Sequence, residues 1–255
     1  MSVHSLSARR DADPVREAKI HLAAAYRLAV LDDLEEGIDN HFTVTVPGRD
    51  DRYLILPFGR HWSEARANDL IVFDESGATL EGDGVVELSA QCIHAPIHRI
   101  TGTRVVLHTH QIWATALNML QNNRVVSASQ TAAFFHGRIA YDDHYSGTAD
   151  TVEEGERLAR VIGDKQVLFM KNHGVIAVGN TVAQAYRRLY KLERVCRTQV
   201  LAMSTGQPLE VLAESIITQV QTPGVDDRHS RGERERLYFE AMMRVLDREL
   251  PGYAE

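Results

Sequence analysis

The apolar run Val105-Val106-Leu107, which changes abruptly to His108-Thr109-His110, constrains the fold more than any other stretch of this chain. A short run of β-branched and aliphatic residues favours a buried strand. Side chains at positions i and i+2 of a strand project to the same face, so His108 and His110 point together where the strand leaves the core. Such a pair can bind a metal ion or transfer protons, although two histidines with this spacing more often make ordinary hydrogen bonds.

A second abrupt change from apolar to polar residues follows the predicted buried strand 166–170. There Lys171-Asn172-His173-Gly174 separates this strand from the apolar residues 175–178. Taken alone, His173 is most simply a turn residue whose ring bonds the backbone, and Gly174 after it predicts a sharp turn of the backbone. Three neutral imidazoles, however, suit an open catalytic metal site, which keeps positions free for substrate. The two strand ends together favour a metal site of His108, His110 and His173, although the sequence does not show that they meet in space.

The composition restricts the class of protein and its partners. With 255 residues, 44% of them apolar and 25% charged, the chain suits one large soluble domain. Its net charge of -7 argues against a nucleic-acid partner, because such proteins need clustered Lys and Arg. No apolar leader or stretch of about 18 apolar residues supports export or a membrane span. Cys92 and Cys196 lie in apolar helical patterns, which favours reduced thiols and a cytoplasmic enzyme or binding protein.

The periodicity of the chain predicts a tail, one domain and a helical extension. Residues 1–13 are polar and mixed in charge, which predicts a flexible N-terminal tail. Within residues 14–225 helical and strand patterns alternate without an internal repeat, and the strands favour a mainly antiparallel sheet flanked by helices, the α/β class. Predicted helices include residues 14–36 and 127–135. Residues 226–255 contain an amphipathic segment and predict a C-terminal helical extension.

Segment 18–203 resembles the class II aldolase/adducin family in the content and order of its motifs. These are Asn40-His41-Phe42-Thr43, Leu56-Pro57-Phe58-Gly59, His94, His108-Thr109-His110, Asn172-His173-Gly174, Val178-Gly179 and Glu193. The resemblance implies an α/β/α sandwich and a homotetramer with sites at subunit interfaces. It also implies a divalent ion held by His108, His110 and His173, with Zn²⁺ expected and Mn²⁺, Fe²⁺, Co²⁺ or Ni²⁺ as alternatives.

Further candidate site residues lie in or near these motifs. The candidates for acid, base or substrate orientation are His94, Tyr141 and Gln130, and those for substrate contact are His41, Thr43, Phe58, Gly59, Ser89 and Trp113. Considered singly, each has the simpler interpretation of a structural residue. Buried imidazoles and hydroxyl groups usually bond other protein groups, and a tryptophan is expected in a core.

Two departures from the family pattern limit what the resemblance implies. Many active aldolases have an acidic residue four positions before the histidine matching His94, where this chain has Ala90, whose methyl group neither binds metal nor accepts a proton. Sugar-phosphate enzymes line their phosphate pocket with small hydroxyl residues, where this chain has mostly Phe58 and Leu88. An apolar lining disfavours phosphate because of the cost of desolvation, so a sugar phosphate is not the expected substrate.

The function expected from these features is that of a metal-dependent carbon–carbon lyase. Its substrate would be a small hydroxy-carbonyl compound or keto acid, cleaved through a metal-stabilised enediolate or enolate by aldol cleavage or decarboxylation. The missing acidic residue is least damaging to decarboxylation, where no proton is abstracted before the bond breaks. The alternatives are a metal-dependent epimerase or dehydratase, and a non-catalytic, adducin-like binding or scaffold protein.

Overall fold

The computed structural model describes residues 13–145, 147–222 and 230–255. The predicted tail, residues 1–13, lies outside these ranges except for Asp13, and so does the predicted boundary between residues 225 and 226. Asp13 caps the first helix, because its side chain accepts a hydrogen bond from the backbone N–H of Val15 at 3.0 Å. Pro14 follows at a position where its missing N–H leaves no helical bond unmade.

The described residues form one central sheet of eight strands. The strands are β1 (His41–Thr45), β2 (Arg52–Ile55), β3 (Ile71–Asp74), β4 (Thr79–Glu81), β5 (Val105–Thr109), β6 (Ile139–Asp142), β7 (Val167–Met170) and β8 (Gly174–Gly179). Their order across the sheet is β4-β3-β2-β1-β5-β8-β7-β6. Strands β6 and β7 run parallel and the other neighbours are antiparallel, so the predicted fold class is confirmed.

Helices cover both faces of this sheet. They are α1 (Pro14–Leu31), α2 (Leu88–Thr101), α3 (Ile112–Asn118), α4 (Gln130–Ala133), α5 (Val152–Ile162), α6 (Val182–Met203), α7 (Glu214–Gln221) and α8 (Arg231–Glu249). One face packs against α2 and α5, and the other packs against α1, α3 and α6. In the described parts of the chain, no helix combines the length and the apolar character needed to cross a membrane.

The alternation of side chains along β5 places its residues in two different cores. Val105 and Leu107 belong to the larger core, which faces α1 and α6, whereas Val106 packs with Ile93 and Ile97 of α2. Each such aliphatic side chain stabilises the fold by about 1.5–3 kcal/mol when it is fully buried. His108 therefore projects from the same face of the sheet as Val106, toward α2.

The first helix is shorter than its predicted range, residues 14–36. α1 ends at Leu31, where the backbone N–H of Asp32 bonds the carbonyl of Leu28 at 2.9 Å. Asp33 then takes a φ of 57°, which turns the chain out of the helix. Leu34 beyond it is still buried in the larger core, so the end of α1 is set by this turn and not by a lack of apolar side chains.

Two other helices differ from the sequence prediction. Over the predicted helix 127–135, only α4 is helical, because the Ser129 side chain caps it by accepting from the N–H of Ala132 at 3.2 Å. α7 was not predicted, since Glu214–Gln221 buries only Ile217 and therefore has a weak apolar pattern. Both are short surface helices that lie beside each other.

The C-terminal segment is tied to the body of the domain. α8 packs against α1 and α6, and the buried Arg27 donates to the carbonyls of Ala65, at 2.7 Å, and of Pro251. The backbone N–H of Ala67 also donates to the carbonyl of Tyr253 at 2.9 Å. Contacts on α1 and on the segment after β2 therefore hold the end of the chain.

Candidate metal centre

Three histidines meet where the central strand β5 ends beside the turn before β8. His108 is in β5, His110 follows that strand, and His173 lies in the turn between β7 and β8. Strands β5 and β8 are neighbours, so the turn before β8 lies beside the end of β5. One ring nitrogen from each histidine can be chosen so that all three lie within 4.8 Å of one another.

The hydrogen-bond partners of two of these rings determine which nitrogen carries the proton. The Nδ1–H of His108 donates to the carbonyl of Val175 at 3.0 Å, and the Nδ1–H of His110 donates to the carboxylate of Glu36 at 2.5 Å. These oxygens accept hydrogen bonds, so both Nδ1 atoms carry protons, and in the neutral form of each ring the Nε2 atom has a lone pair. This is the orientation that metal-binding histidines adopt in proteins.

The Nε2 atoms of His108 and His110 lie 3.1 Å apart. At that distance the two atoms either share one proton or bind one cation between them. A divalent ion at the usual metal–nitrogen distance of about 2.0–2.1 Å would bind both. Burial lowers the pKa of His108 well below its ordinary value and that of His173 to about 4, which favours the neutral form required of a ligand. The donor set therefore fits a metal ion that prefers imidazole nitrogen.

Gly174 is required by the close packing of this centre. A Cβ atom at Gly174 would lie 2.5 Å from the carbonyl oxygen of Thr109 and 2.7 Å from Cδ2 of His110. Gly174 was expected to supply the sharp turn after His173. The left-handed conformation is instead taken by Asn172, with a φ of 55°. The glycine allows β8 to approach the two rings, which is a different physical reason.

The segment between α1 and β1 supplies two groups that sequence reasoning missed. Glu36 orients His110 from one side, and the Oδ1 atom of Asn40 accepts from the backbone N–H of His110 at 3.2 Å. The role of Glu36 was missed because the predicted helix extended through it. The acidic pair Asp32-Asp33, immediately after the apolar stripe, was the available signal of an earlier end.

A second group of histidines lies behind the metal centre. His41 in β1 is the registered partner of His108, and their ring centroids are 5.0 Å apart. The Nδ1 atom of His41 lies 2.7 Å from Nε2 of His94 in α2, and the Nδ1 atom of His94 lies 2.6 Å from Oγ1 of Thr43. Thr43 Oγ1 is also 2.8 Å from Nε2 of His98. The fold thus brings the predicted residues His41, Thr43 and His94 together.

Burial determines the charge of this second group. It lowers the pKa of His41 to about 3, that of His98 to about 4 and that of His94 well below its ordinary value. For His41, the nearby His110 and His173 lower the pKa further, although less than burial does. The three imidazoles are therefore neutral at neutral pH.

His41 lines a small cavity with the predicted residues Phe58 and Gly59 and with Glu87. Its Nε2 atom is 3.2 Å from the hydroxyl of Ser89, which donates to Glu87 at 2.9 Å. Burial raises the pKa of Glu87. Phe58 is 46% exposed, so it presents an apolar ring at the mouth of this cavity rather than a hydrogen-bond donor.

Ala90 is fully buried and brings no carboxylate to the site. It packs with Tyr53, Ile55 and Phe73 beneath the sheet. Its environment is therefore apolar, and an acidic side chain at this position would have to enter that cluster. The neighbouring carboxyl group of Glu87 bonds Ser89 instead of occupying the place of Ala90.

The comparison with known families agrees with this geometry. Residues 20–200 match the family model described as "Class II Aldolase and Adducin N-terminal domain". The chain belongs to this family. The match covers β1 to β8 and therefore includes all three histidines of the metal centre.

The proteins that this chain resembles have names that describe different activities. An aldolase II superfamily protein from Pseudomonas syringae has a crystal structure that is 31% identical, covers 96% of this chain and 98% of its own, and has a TM-score of 0.87. Decarboxylase NovR of Streptomyces niveus is 30% identical over 76% of this chain and 72% of its own length. An L-fuculose 1-phosphate aldolase of Glaciozyma antarctica, 23% identical with a TM-score of 0.80 and 92% coverage of both chains, shares the fold.

Three candidate residues of this class II aldolase/adducin domain lie away from the histidine cluster of their own chain. Tyr141 in β6 shares a face with Phe169 rather than with His108, and its hydroxyl accepts from the N–H of Val125 at 2.9 Å. Gln130 is exposed at the start of α4. Their sequence positions near polar residues gave no information about which face of the sheet they occupy.

Trp113 lines a separate, larger cleft of about 550 Å³ between the end of α1, α3 and α6. Its backbone N–H and that of Ala114 donate to the carboxylate of Glu193 at 2.7 and 2.9 Å. Glu193 therefore caps the start of α3. His94 offers no free ring nitrogen to the small cavity, because it is fully buried and both of its ring nitrogens are hydrogen-bonded.

Proposed function

We propose that this chain is a divalent-metal-dependent carbon–carbon lyase for a small hydroxy-carbonyl compound or keto acid without phosphate, and that decarboxylation is its reaction. The observation that carries the proposal is the pair of Nε2 atoms of His108 and His110, 3.1 Å apart. His173 completes a set of three imidazoles, which leaves coordination positions for substrate.

His108, His110 and His173 would hold the ion, for which Zn²⁺ is favoured and Mn²⁺, Fe²⁺, Co²⁺ and Ni²⁺ are alternatives. When bound, the ion would supply a Lewis acid for two oxygens of the substrate. The protein orients its ligands through the Val175 carbonyl and the Glu36 carboxylate. Such partners fix the ring orientation and raise the basicity of the ligand nitrogen.

The absence of an acidic residue at position 90 favours decarboxylation over aldol cleavage. Aldol cleavage begins with removal of a proton from a hydroxyl group, whereas decarboxylation replaces a carboxylate by a proton after CO₂ has left. Ala90 cannot accept a proton, both ring nitrogens of His94 are already hydrogen-bonded, and burial lowers the pKa of His41 to about 3, which makes it a weak base. The relative named Decarboxylase NovR supports this choice, at 30% identity.

Phosphate is disfavoured by the groups around the cavity. The lining of the cavity holds the ring of Phe58 and the carboxyl group of Glu87 beside one cation, Arg60. The apolar ring cannot replace the hydration of a phosphate dianion, and a carboxylate repels it. L-fuculose 1-phosphate, the substrate named for a structural neighbour, is therefore the informative negative control.

The test uses purified protein reconstituted with each of the five metal ions. A panel of 3-keto acids, whose loss of CO₂ leaves an enolate, and of small hydroxy-carbonyl compounds is assayed for CO₂ release and aldehyde formation, beside L-fuculose 1-phosphate. We expect metal-dependent CO₂ release that is lost in His110→Ala and retained in His144→Ala, a control histidine in an exposed part of the chain. The proposal fails if reconstituted protein holds less than about a tenth of an equivalent of every ion, or if His110→Ala leaves the release unchanged.

The adducin branch of the family defines the competing outcome. A non-catalytic scaffold would bind no metal and turn over no acid in this assay. The resemblance to the family also leads us to propose a homotetramer. Sedimentation equilibrium measures the mass of the assembly directly. A monomer that retains activity would remove the tetramer from the proposal and leave the lyase activity in place.

A further inference from the structure

Four side chains and one backbone carbonyl form a continuous line of hydrogen bonds behind the metal centre. From the inside outward these groups are the Thr103 carbonyl, His98, Thr43, His94 and His41. All four side chains are buried, and none of the links is longer than 2.8 Å. Binding of a metal ion by His108, His110 and His173 does not require these hydrogen bonds.

The direction of every bond follows from the carbonyl at the inner end. A carbonyl oxygen only accepts, so His98 donates to Thr103 from Nδ1, at 2.8 Å, and its neutral Nε2 must accept. The neighbouring hydroxyl of Thr43 therefore donates its one proton to His98, at 2.8 Å. Since that proton is used, Thr43 can only accept from the next ring.

The directions of the two outer hydrogen bonds follow in the same way. His94 donates to Thr43 from Nδ1, at 2.6 Å, which leaves the Nε2 of His94 as an acceptor. His41 must then donate to it from Nδ1, at 2.7 Å. The Nε2 of His41 is therefore a lone pair, next to the cavity that contains Phe58 and Glu87.

We propose that the Thr103 carbonyl, His98, Thr43 and His94 fix His41 in its Nδ1–H tautomer, so that Nε2 of His41 accepts a hydrogen bond from a hydroxyl group of the substrate at the metal centre. The proposal rests on the proposed function, because it assumes that the substrate binds at the three histidines. It specifies that the substrate carries a hydroxyl group beside its metal-binding oxygens. His94, Thr43 and His98 are positioning residues, since they act through His41.

Ser89 allows His41 to change partners. Its hydroxyl has one proton and lies near two acceptors, Oε1 of Glu87 at 2.9 Å and Nε2 of His41 at 3.2 Å. When Ser89 bonds Glu87, the Nε2 atom of His41 has no donor among the groups of the line. A substrate hydroxyl can then supply the missing bond without displacing a protein group from the line.

The tautomer is measured directly by NMR on protein labelled with ¹⁵N-histidine, in which long-range ¹H–¹⁵N correlations identify the protonated ring nitrogen. Metal-free wild-type protein is expected to show His41, His94 and His98 protonated at Nδ1, with the signals assigned by single His→Gln variants. A wild-type His41 protonated at Nε2 overturns the proposal without reference to any variant.

Thr43→Val and Thr43→Ser form the matched pair. Valine has nearly the shape of threonine but removes the hydroxyl, so His94 loses its acceptor and is expected to donate from Nε2 instead. His41 then accepts at Nδ1 and becomes protonated at Nε2. Thr43→Ser keeps the hydroxyl and is expected to keep the wild-type tautomers, whereas a Thr43→Val spectrum identical to wild type overturns the proposal.

Ligand binding separates this proposal from the proposed function. Glycolate and acetate differ by one hydroxyl group and are titrated into Zn²⁺-loaded protein. In Thr43→Val we expect glycolate to bind about tenfold more weakly and acetate to bind as before, because the hydroxyl of glycolate then loses its acceptor and meets an N–H donor in its place. Equal losses for both acids overturn the proposal.

The controls make the two failures distinguishable. If Zn²⁺ does not bind wild-type protein, the proposed function fails, but the tautomers of the metal-free protein still test the line of hydrogen bonds. If the tautomers are wrong while Zn²⁺ binds to wild type and not to His108→Ala, only the present proposal fails. Circular dichroism and the NMR spectrum of each variant verify that it is folded.

Discussion

Two groups of histidines lie on the same side of one sheet and are used in opposite ways. At the end of β5, His108 and His110 give their Nδ1 protons to oxygen atoms and leave both Nε2 atoms unoccupied, 3.1 Å apart. Between β1 and α2, His94 and His98 have both ring nitrogens hydrogen-bonded within the protein. The residue type is the same, and the partners of each ring decide whether it can bind a ligand.

The largest expected difference between the two groups is in metal binding. His108→Ala removes one of three nitrogen ligands and is expected to reduce bound Zn²⁺ from about one equivalent per chain to below about a tenth. His98→Gln, in the second group, is expected to retain about one equivalent. Metal analysis after gel filtration measures both, and similar losses in the two variants would contradict the contrast.

A smaller effect is expected when the ligand is kept and its orienting partner is changed. Glu36→Gln removes the carboxylate that accepts from His110 and is expected to weaken Zn²⁺ binding about 10–100-fold, as is usual for such partners. Competition with a chromogenic chelator measures the affinity. Glu35→Gln is the control, because Glu35 lies near His61, at 3.9 Å, and an equal loss there would show a general charge effect instead.

The smallest expected effect concerns the stability of the second group. The pKa of His98 is about 4 in the folded protein against an ordinary value of 6.5, so above pH 6.5 neither state binds a proton at this ring. As the pH falls from 6.5 toward 4, the unfolded chain binds a proton that the native protein does not, and stability falls by about 1.4 kcal/mol per pH unit for each such histidine.

Urea unfolding of metal-free protein between about pH 7.5 and pH 5.5 tests this dependence. The slope of unfolding free energy against pH is expected to be smaller in His98→Gln than in wild type, because one buried base has been removed. Carboxyl groups, including Glu87 with its raised pKa, contribute equally to the slopes of both proteins, so the difference between the slopes reports His98. Equal slopes would contradict the buried, neutral state of His98.

The sequence predicted the parts of the site that depend on a strong local pattern. The apolar run that ends at His108 predicted both the strand and the shared direction of His108 and His110. The class of fold followed from alternating periodicities, and the order of the family's motifs agreed with it. Each of these features depends on residues that are close together in the sequence.

The remaining features depend on contacts between segments far apart. Glu36 reaches His110 across 74 positions, and Thr43 reaches His98 across 55, so no local pattern reports either contact. Tyr141 was placed near the site by its polar surroundings, whereas its position on β6 puts it on the other face of the sheet. Gly174 was identified correctly as a special position, but its reason was the approach of β8 to two rings.

The inner end of the line of hydrogen bonds is a main-chain atom, the carbonyl of Thr103, and this has a consequence for how the site can change. Every amino acid has that carbonyl, so no replacement of the Thr103 side chain removes the acceptor for His98. Mutations can interrupt the line at Thr43 or His94, but while it is intact the backbone course sets the direction of its bonds. Substitutions of the Thr103 side chain are therefore expected to leave Nε2 of His41 as the atom that accepts a hydrogen bond from the substrate.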